Sequence, residues 1–218
     1  MRYEIKFPIY LDKINLMSQW LNSMKDIKLH YKNRIVNSIY YDDDNLNCAR
    51  DNISGISNRK KFRIRWYDNN KNNFRYEIKI KKNKLSNKII FESKKSINLN
   101  DYKNLFKINS ANFNLKNQDL KYIGQQELKP YLQVSYLRQY LIYKNKIRIT
   151  IDQNLKFNNF FQNNFDRNLN DNINVLEVKF DESNYDEGFY LIKNCYFTPK
   201  RFSKYLRGLS IHGLANYL

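Results

Sequence analysis

The feature that most constrains the fold of this chain is a strict alternation of basic and apolar side chains in two neighbouring segments. In Arg59–Trp66, every second residue is Arg or Lys, and Phe62, Ile64 and Trp66 lie between them. Tyr76–Lys81 alternates charged and apolar residues in the same way. A period of two is typical of β-strands, because successive side chains point to opposite faces. Each strand therefore has one apolar face and one face of fixed charge.

The pattern recurs along the chain in a short charged unit, Glu-x-Lys. This unit occurs at Glu4–Lys6, Glu77–Lys79 and Glu177–Lys179, each time inside a predicted strand. Alternation predicts eight strands in all: Arg2–Ile9, Arg34–Asp42, Arg59–Tyr67, Phe74–Lys82, Lys88–Lys94, Tyr131–Tyr143, Lys146–Phe157 and Asn174–Asp181.

Helical spacing of apolar residues predicts a smaller number of helices. These are Leu11–Met24, a short helix ending at Arg50, Asn98–Lys121 and Phe189–Asn194, and Arg201, Lys204 and Arg207 share helical spacing in the tail. We interpret Asn158–Asn172 as a loop. Antiparallel strands with few helices predict the α+β class. Strands with a face too charged for a core could close into a barrel around a charged lumen.

The charge balance points to an anionic partner. Lys and Arg total 39 and Asp and Glu total 21, so the net charge is +18. Nucleic acid, a membrane surface and phosphate chains are all compatible with such a charge. From the alternation alone, a charged face that is simply solvated and a face that binds anions are both open. Arg suits the second, because its guanidinium matches phosphate oxygens in a bidentate way, which a solvated face does not need.

Other features of the chain exclude several classes of protein. Cys48 and Cys195 are the only two cysteines and lie far apart, which argues against a disulfide framework and for a cytoplasmic location. No run of 18 apolar residues exists, so we expect no intrinsic membrane segment. The chain begins directly with a charged strand, which is unlike a signal peptide. We expect a single domain over residues 1–218.

Motifs spread along the chain resemble those of a known family. They are Arg2–Lys6, Ser38–Asp42, Arg59–Tyr67, Glu77–Lys79, Val134–Arg138, Arg148–Asp152, Leu176–Phe180 and Phe202–Tyr205. In this order they resemble the polyphosphate polymerase domain of the vacuolar transporter chaperone (VTC) family, a branch of the triphosphate tunnel metalloenzymes. Each motif is short, and the specificity lies in their joint order over almost the whole chain.

The resemblance implies both a fold and a reaction. The fold is an antiparallel, closed eight-stranded β-barrel or tunnel with a charged lumen, flanked by helices. The reaction transfers the γ-phosphate of ATP onto a growing inorganic polyphosphate chain with a divalent metal, Mn²⁺ or Mg²⁺. ATP and polyphosphate would then be the partners, and nucleic acid would not. Whether a separate membrane partner exists is left open.

The resemblance also implies roles for individual residues. Those that would act in catalysis are Arg63, Arg65, Lys79, Arg138, Arg148 and Lys204. Those that would bind phosphate are Lys6, Lys88, Tyr136, Arg201 and Ser203, although the surroundings of Lys88 and Arg201 match less closely. Glu177 would hold the metal.

Two further interpretations remain open at this point. A tunnel triphosphatase would use the same anion site to hydrolyse short phosphate chains or nucleotides. A non-enzymatic module would bind nucleic acid or polyphosphate through its charge alone. The adenylate-cyclase and thiamine-triphosphatase branch of the superfamily opens with Glu-x-Glu-x-Lys. Arg2 replaces the first Glu here, which exchanges a metal ligand for a cation and favours the polymerase branch over two-metal hydrolysis. We interpret Glu4 and Glu77 as partners of neighbouring cations, and Asp42–Asp44 as a helix cap.

Overall fold

The computed structural model describes residues 2–82, 85–93, 128–160 and 169–216. The chain divides into two compact units, each built from separate segments. The first unit consists of residues 1–36, 135–157 and 169–204, and the second of residues 37–134, 158–168 and 205–218. The expectation of a single domain over the whole chain stays a prediction.

The described residues contain nine strands and four α-helices. The strands are β1 (Arg2–Tyr10), β2 (Ile27–Asp42), β3 (Arg59–Tyr67), β4 (Phe74–Lys82), β5 (Leu85–Ser93), β6 (Lys129–Tyr143), β7 (Ile147–Asn159), β8 (Leu169–Asn170) and β9 (Ile173–Asp181). The helices are α1 (Ile14–Ser23), α2 (Asn47–Ile53), α3 (Tyr185–Lys193) and α4 (Lys204–Ile211). Short 3-10 turns at Leu11–Lys13 and Glu182–Asn184 precede α1 and α3.

The first unit contains a sheet in the hydrogen-bonded order β1-β9-β7-β6-β2, and β8 pairs with β7. β9 runs antiparallel to both β1 and β7. Alternate residues of these strands, such as Phe7, Ile149 and Val178, form a buried cluster with Trp20 of α1 and Leu191 of α3. Burial of this apolar face drives the packing and leaves the charged residues on the opposite face.

The second unit contains the order β2-β3-β4-β5. β3 and β4 form an antiparallel pair in which Arg63 lies opposite Glu77, and β5 is antiparallel to β4. Its core includes Phe62, Trp66 and Ile78. The strands again separate an apolar face from a charged one, as the period of two predicts.

The acidic turn before α2 caps that helix, as the sequence indicates. The carboxylate of Asp42 accepts hydrogen bonds from the backbone N–H groups of Cys48 (2.9 Å) and Ala49 (3.0 Å). Asp43 Oδ1 accepts from the N–H of Asn47 at 3.0 Å. These bonds satisfy donors that have no partner within the first helical turn.

The predicted α+β class, with antiparallel strands and flanking helices, is confirmed. The strand predictions at β3 and β4 agree with the structure at both ends. β2 begins at Ile27 and not at Arg34, because its first half is largely exposed and so lacks the burial that usually identifies a strand in a sequence. α3 begins at Tyr185, earlier than the predicted Phe189.

Three further segments differ from the predictions or fall outside the described residues. In the predicted loop, Asn158 and Asn159 extend β7, and Leu169–Asn170 form β8. In the tail, the helix begins at Lys204, so Arg201 lies before it. The helix predicted at Asn98–Lys121 lies outside the described residues. Among the helices that the structure describes, none has the length and apolar character needed to cross a bilayer.

Candidate functional site

A buried carboxylate gathers three predicted site cations in the second unit. Glu77 is 2% exposed and lies on the charged face of β4. Its Oε2 accepts a hydrogen bond from Arg63 Nε at 2.5 Å and lies 3.8 Å from Arg65 Nη1. Its Oε1 accepts from Lys88 Nζ at 2.6 Å. The structure therefore brings Arg63, Arg65 and Lys88 together around one negative charge.

The electrostatics of this cluster strongly favour the ionised carboxylate. Burial alone would raise the pKa of Glu77, but the charges of Arg63, Arg65 and Lys88 outweigh it and lower the pKa to about 2. Glu77 is therefore a counter-ion at neutral pH, in agreement with our interpretation of it as a partner of neighbouring cations.

Side chains of β2 fix the two arginines from a second direction. Arg65 Nε donates to Ser38 Oγ at 3.1 Å, and Arg63 Nη1 donates to Tyr40 Oη at 3.2 Å. The guanidinium of Arg63 also lies 5.9 Å from the centre of the Tyr40 ring. Such contacts restrict the rotamers of long side chains and so reduce the entropy that is lost when an anion binds.

Lys79 is the remaining predicted residue of the second unit. It follows Glu77 by two positions, so both side chains are on the same face of β4. Lys61 of β3 and Lys88 of β5 lie opposite it in the antiparallel register. Lys79 is exposed, so it extends the positive face beyond the buried cluster.

A second buried carboxylate, Asp152 on β7, organises cations in the first unit. Asp152 is fully buried, and Arg138 of β6 donates to it twice, from Nε to Oδ1 at 2.5 Å and from Nη2 to Oδ2 at 2.7 Å. Lys204 Nζ lies 2.6 Å from Oδ2. Burial would raise the pKa of Asp152, but Lys204 and Arg138 lower it below its usual range.

The ring of Tyr136 supports the same two cations. The Lys204 ammonium lies 4.7 Å from the ring centre, and the Arg138 guanidinium lies 5.3 Å from it. Cation–π attraction over a buried ring adds to the ion pairs and holds both groups near one place. Tyr136 and Arg138, predicted from one motif, and Lys204, predicted from another, are therefore direct neighbours.

The predicted metal ligand, Glu177 on β9, belongs to a third group. It is 5% exposed, and its Oε2 accepts hydrogen bonds from Lys179 Nζ at 2.6 Å and from Thr150 Oγ1 at 3.4 Å. Lys6 Nζ lies 3.7 Å from Glu177 Oε1 and 3.1 Å from Glu4 Oε1. Burial opposes ionisation of Glu177, but Lys179 and Lys6 bring its pKa well below the ordinary value.

The donor set at Glu177 fits a hard divalent cation that arrives with a phosphate ligand. The ammonium of Lys6 lies 3.1 Å from Glu4 and 3.7 Å from Glu177, so the two carboxylates share one lysine. Mg²⁺ and related ions commonly take one or two carboxylates from the protein, and complete their shell with substrate phosphates and water. In the described part of the chain, no group of three or more His, Cys, Asp or Glu residues is placed to hold a metal ion.

The other predicted residues of the first unit surround this group less directly. Arg148 is exposed on β7, opposite Lys179 of β9 in the register. Arg201 is exposed and Ser203 is partly buried in the segment before α4. That segment is tied to β1, because the N–H of Lys200 donates to the carbonyl of Lys6 at 2.9 Å, and Lys6 Nζ donates to the carbonyl of Phe202 at 3.2 Å.

Sequence reasoning missed Asp152 and Lys179 as members of these groups. Both were visible as charged residues on strand faces that carry predicted site residues, Asp152 with Arg148 and Lys179 with Glu177. A carboxylate inside a basic strand face is the signal that could have identified Asp152. In these groups, carboxylates hold cations in fixed positions where an anion of similar geometry could bind.

The sequence and the structure were compared with known proteins. A sequence model of the VTC domain matches residues 1–212. No curated protein sequence matches the chain. Several solved structures are similar in fold. A Vibrio parahaemolyticus protein, provisionally named an adenylate cyclase, is 12% identical, with a TM-score of 0.52 over 96% of this chain and 97% of that chain.

Two further similar structures come from Pyrococcus horikoshii and Bacillus halodurans. The first is 17% identical and has a TM-score of 0.51 over 96% of this chain and 99% of that chain. The second, also provisionally named an adenylate cyclase, is 15% identical and has a TM-score of 0.56 over 93% of this chain and 94% of that chain. At these identities the likeness shows the fold alone.

Proposed function

Because the chain belongs to the VTC domain family of the triphosphate tunnel metalloenzymes, we propose that it is a polyphosphate polymerase. It would transfer the γ-phosphate of ATP to the end of an inorganic polyphosphate chain. The single observation that carries this proposal is the VTC domain match over residues 1–212. The α+β fold, the arginine-rich strand faces and the cation groups around Glu77 and Asp152 support it.

The chemistry of phosphoryl transfer suits such cation groups. This reaction requires little covalent help from the protein, and depends on in-line positioning and on neutralising charge at the phosphoryl oxygens. Arg63 and Arg65 present fixed guanidinium groups, and Arg138 and Lys204 provide a second fixed pair. Preorganised cations of this kind stabilise a developing charge without reorganising during the reaction.

The divalent metal that the family implies would be held by Glu177, with Glu4 as a neighbouring carboxylate. When bound, such an ion supplies charge neutralisation to phosphate oxygens. Lys6 and Lys179 would bind phosphate at the same place, since both ammonium groups already lie against these carboxylates. Arg148, Arg201 and Ser203 would contact phosphates further along the chain.

Incubation with ATP and Mn²⁺, followed by gel analysis of the products, tests the proposal. A ladder of acid-stable phosphate chains with matching ADP is the expected result. Release of free phosphate without any phosphate chains would indicate a triphosphatase and contradict the polymerase. Absence of turnover, with tight binding of tripolyphosphate, would instead indicate a binding module.

Matched variants test the residue assignment. Arg65→Ala and Lys204→Ala should each reduce chain synthesis by about a hundredfold, the scale typical for removal of a transition-state donor. Lys146→Ala is a suitable control, because this cation pairs with the surface residue Glu187. Full activity of both site variants would contradict the assignment.

A further inference from the structure

Four charged residues pair across β1 and β9, and we call them the Glu–Lys quartet: Glu4, Lys6, Glu177 and Lys179. In the register, Glu4 lies opposite Lys179 and Lys6 lies opposite Glu177. Lys179 donates to Glu177 at 2.6 Å, and Lys6 lies 3.1 Å from Glu4 and 3.7 Å from Glu177. Both lysines therefore contact the carboxylates that would hold a metal.

We propose that the ammonium groups of Lys6 and Lys179 occupy the position at Glu177 that a metal ion would take, and that they leave it when they bind the oxygens of a phosphate chain. The site therefore binds a metal–phosphate complex and excludes the free metal ion. The inference rests on the proposed function, because it assigns an order of binding to that same site. The ligand of this site is thus a divalent cation that a triphosphate or polyphosphate has already chelated.

The charge balance of the quartet is the first argument. Two carboxylates and two ammonium groups sum to zero, so a free dication would leave a net charge of +2 around Glu177, whose own side chain is buried. Repulsion between like charges a few ångströms apart is weakly screened when water is excluded. A phosphate chain brings its own negative oxygens and restores the balance.

The access to Glu177 is the second argument. Its side chain is almost fully buried, and one oxygen already accepts bonds from Lys179 and Thr150. An ion that takes the place of the Lys179 ammonium at that oxygen requires the ammonium to move. Lysine suits such a movement, because its compact charge lies on a flexible four-carbon chain.

Lys6 shows where the displaced charge can go. Its ammonium donates to the carbonyl of Phe202 at 3.2 Å as well as lying beside the two carboxylates. Lys6 therefore links the carboxylates of the quartet to the segment that carries Ser203, a predicted phosphate-binding residue. A phosphate bound at that segment would attract Lys6 and weaken its hold on Glu4 and Glu177.

Equilibrium dialysis with Mn²⁺ tests the inference without requiring turnover. Wild-type protein should retain Mn²⁺ poorly when it is offered alone, and should retain Mn²⁺ and tripolyphosphate in equal amounts when they are offered together. Lys179→Met should bind Mn²⁺ alone about tenfold more tightly than wild type, since it removes one competing charge. Lys146→Met is the control for loss of a lysine charge, because Lys146 pairs with the surface residue Glu187.

The outcomes separate this inference from the proposed function. Tight binding of Mn²⁺ alone by wild type, or equal binding by wild type and Lys179→Met, would overturn the order of binding even if the protein makes polyphosphate. If Lys179→Met does not fold, Lys6→Met serves the same purpose. Glu177→Gln added to either variant should abolish the gain; a gain that persists would place the ion elsewhere and overturn the inference. A protein that fails to make chains would still show this pattern if the inference holds.

Discussion

Arg138 donates two hydrogen bonds to the two oxygens of Asp152, at 2.5 and 2.7 Å, in a side-on bidentate geometry. This arrangement fixes the plane of the guanidinium group as well as its position. Lys204 shares one of the same oxygens. The carboxylate of Asp152 therefore sets the relative placement of two cations that lie far apart in the sequence.

Asp152→Asn should show whether Asp152 positions the cations for the reaction or contributes to the binding of ATP. The amide keeps the shape of the side chain but loses the charge that holds both cations. We expect kcat to fall about tenfold or more, and KM for ATP not to rise, because the positive charge near the phosphates is undiminished. Steady-state kinetics of chain synthesis measure both parameters.

The control for this variant is Glu187→Gln, which removes a carboxylate that pairs with Lys146 at the surface. Its kinetics should match those of the wild type. A rise in KM without a change in kcat for Asp152→Asn would mean that Asp152 does not position the reacting groups.

Glu77→Gln should destabilise the fold and make its stability depend on phosphate. Without the carboxylate, Arg63, Arg65 and Lys88 are mutually repulsive, and removal of one partner of a buried ion pair costs about 3 kcal/mol. Tripolyphosphate can supply the missing negative charge. Thermal unfolding should show a lower Tm for the variant, and a larger rise in Tm on adding tripolyphosphate than wild type shows.

The comparison with Arg75→Ala provides the reference for this prediction. Arg75 is on the same strand and pairs with the exposed Glu92, so its loss should change Tm little. Equal ligand-induced shifts in wild type and Glu77→Gln would contradict a phosphate site at Glu77.

Acid should weaken the wild-type fold through Glu77. The three cations hold the pKa of this group at about 2 in the folded state, against 4.5 for an ordinary glutamate. A carboxyl group with a lowered folded-state pKa contributes stability above the unfolded-state pKa. That contribution is lost as pH falls from 4.5 through 2.

Urea unfolding at a series of pH values checks this prediction. The difference in the free energy of unfolding between wild type and Glu77→Gln should be constant near neutral pH and shrink below pH 4.5. A difference that grows on acidification would show that Glu77 is protonated in the folded protein.

Gly188→Ala should destabilise the first unit, although alanine is the better helix former. A Cβ atom at position 188 of α3 would lie 2.5 Å from the ring of Phe180 on β9. Relief of such overlap requires a shift of the helix or ring, at a cost of about 2 kcal/mol. Alanine elsewhere in a helix would gain up to about 1 kcal/mol over glycine.

A double variant distinguishes the clash from a general effect on α3. Gly188→Ala combined with Phe180→Leu should be less destabilised than the sum of the single variants, because the smaller side chain makes room. Urea unfolding measures each free energy. Strict additivity would exclude the contact with Phe180 as the cause.

The alternation of side chains predicted the strands and their charged faces well, because a period of two is a local property of the chain. It could not predict which cations share a carboxylate. Arg138, Asp152 and Lys204 come from three separate segments, and only the pairing of β6 with β7 and the path of the chain before α4 bring them together.

The first half of β2 shows a second kind of limit. Ile27, Leu29 and Tyr31 alternate with polar residues, yet Leu29 and Tyr31 are exposed. Burial is the main reason that alternation marks a strand, and here it is weak. Pairing with neighbouring strands defines this segment, and that information is absent from the local sequence.

The opposed Glu-x-Lys units of β1 and β9 also specify how the two strands align. In the observed register each acidic residue faces a basic one. A slip of two residues in one direction would place Glu4 opposite Glu177, and a slip in the other would place Lys6 opposite Lys179. A slip of one residue would point the charged side chains of one strand into the apolar core. Residues proposed to hold phosphate and metal therefore also exclude misaligned sheets during folding, so that a substitution among them alters the yield of correctly folded protein as well as its chemistry.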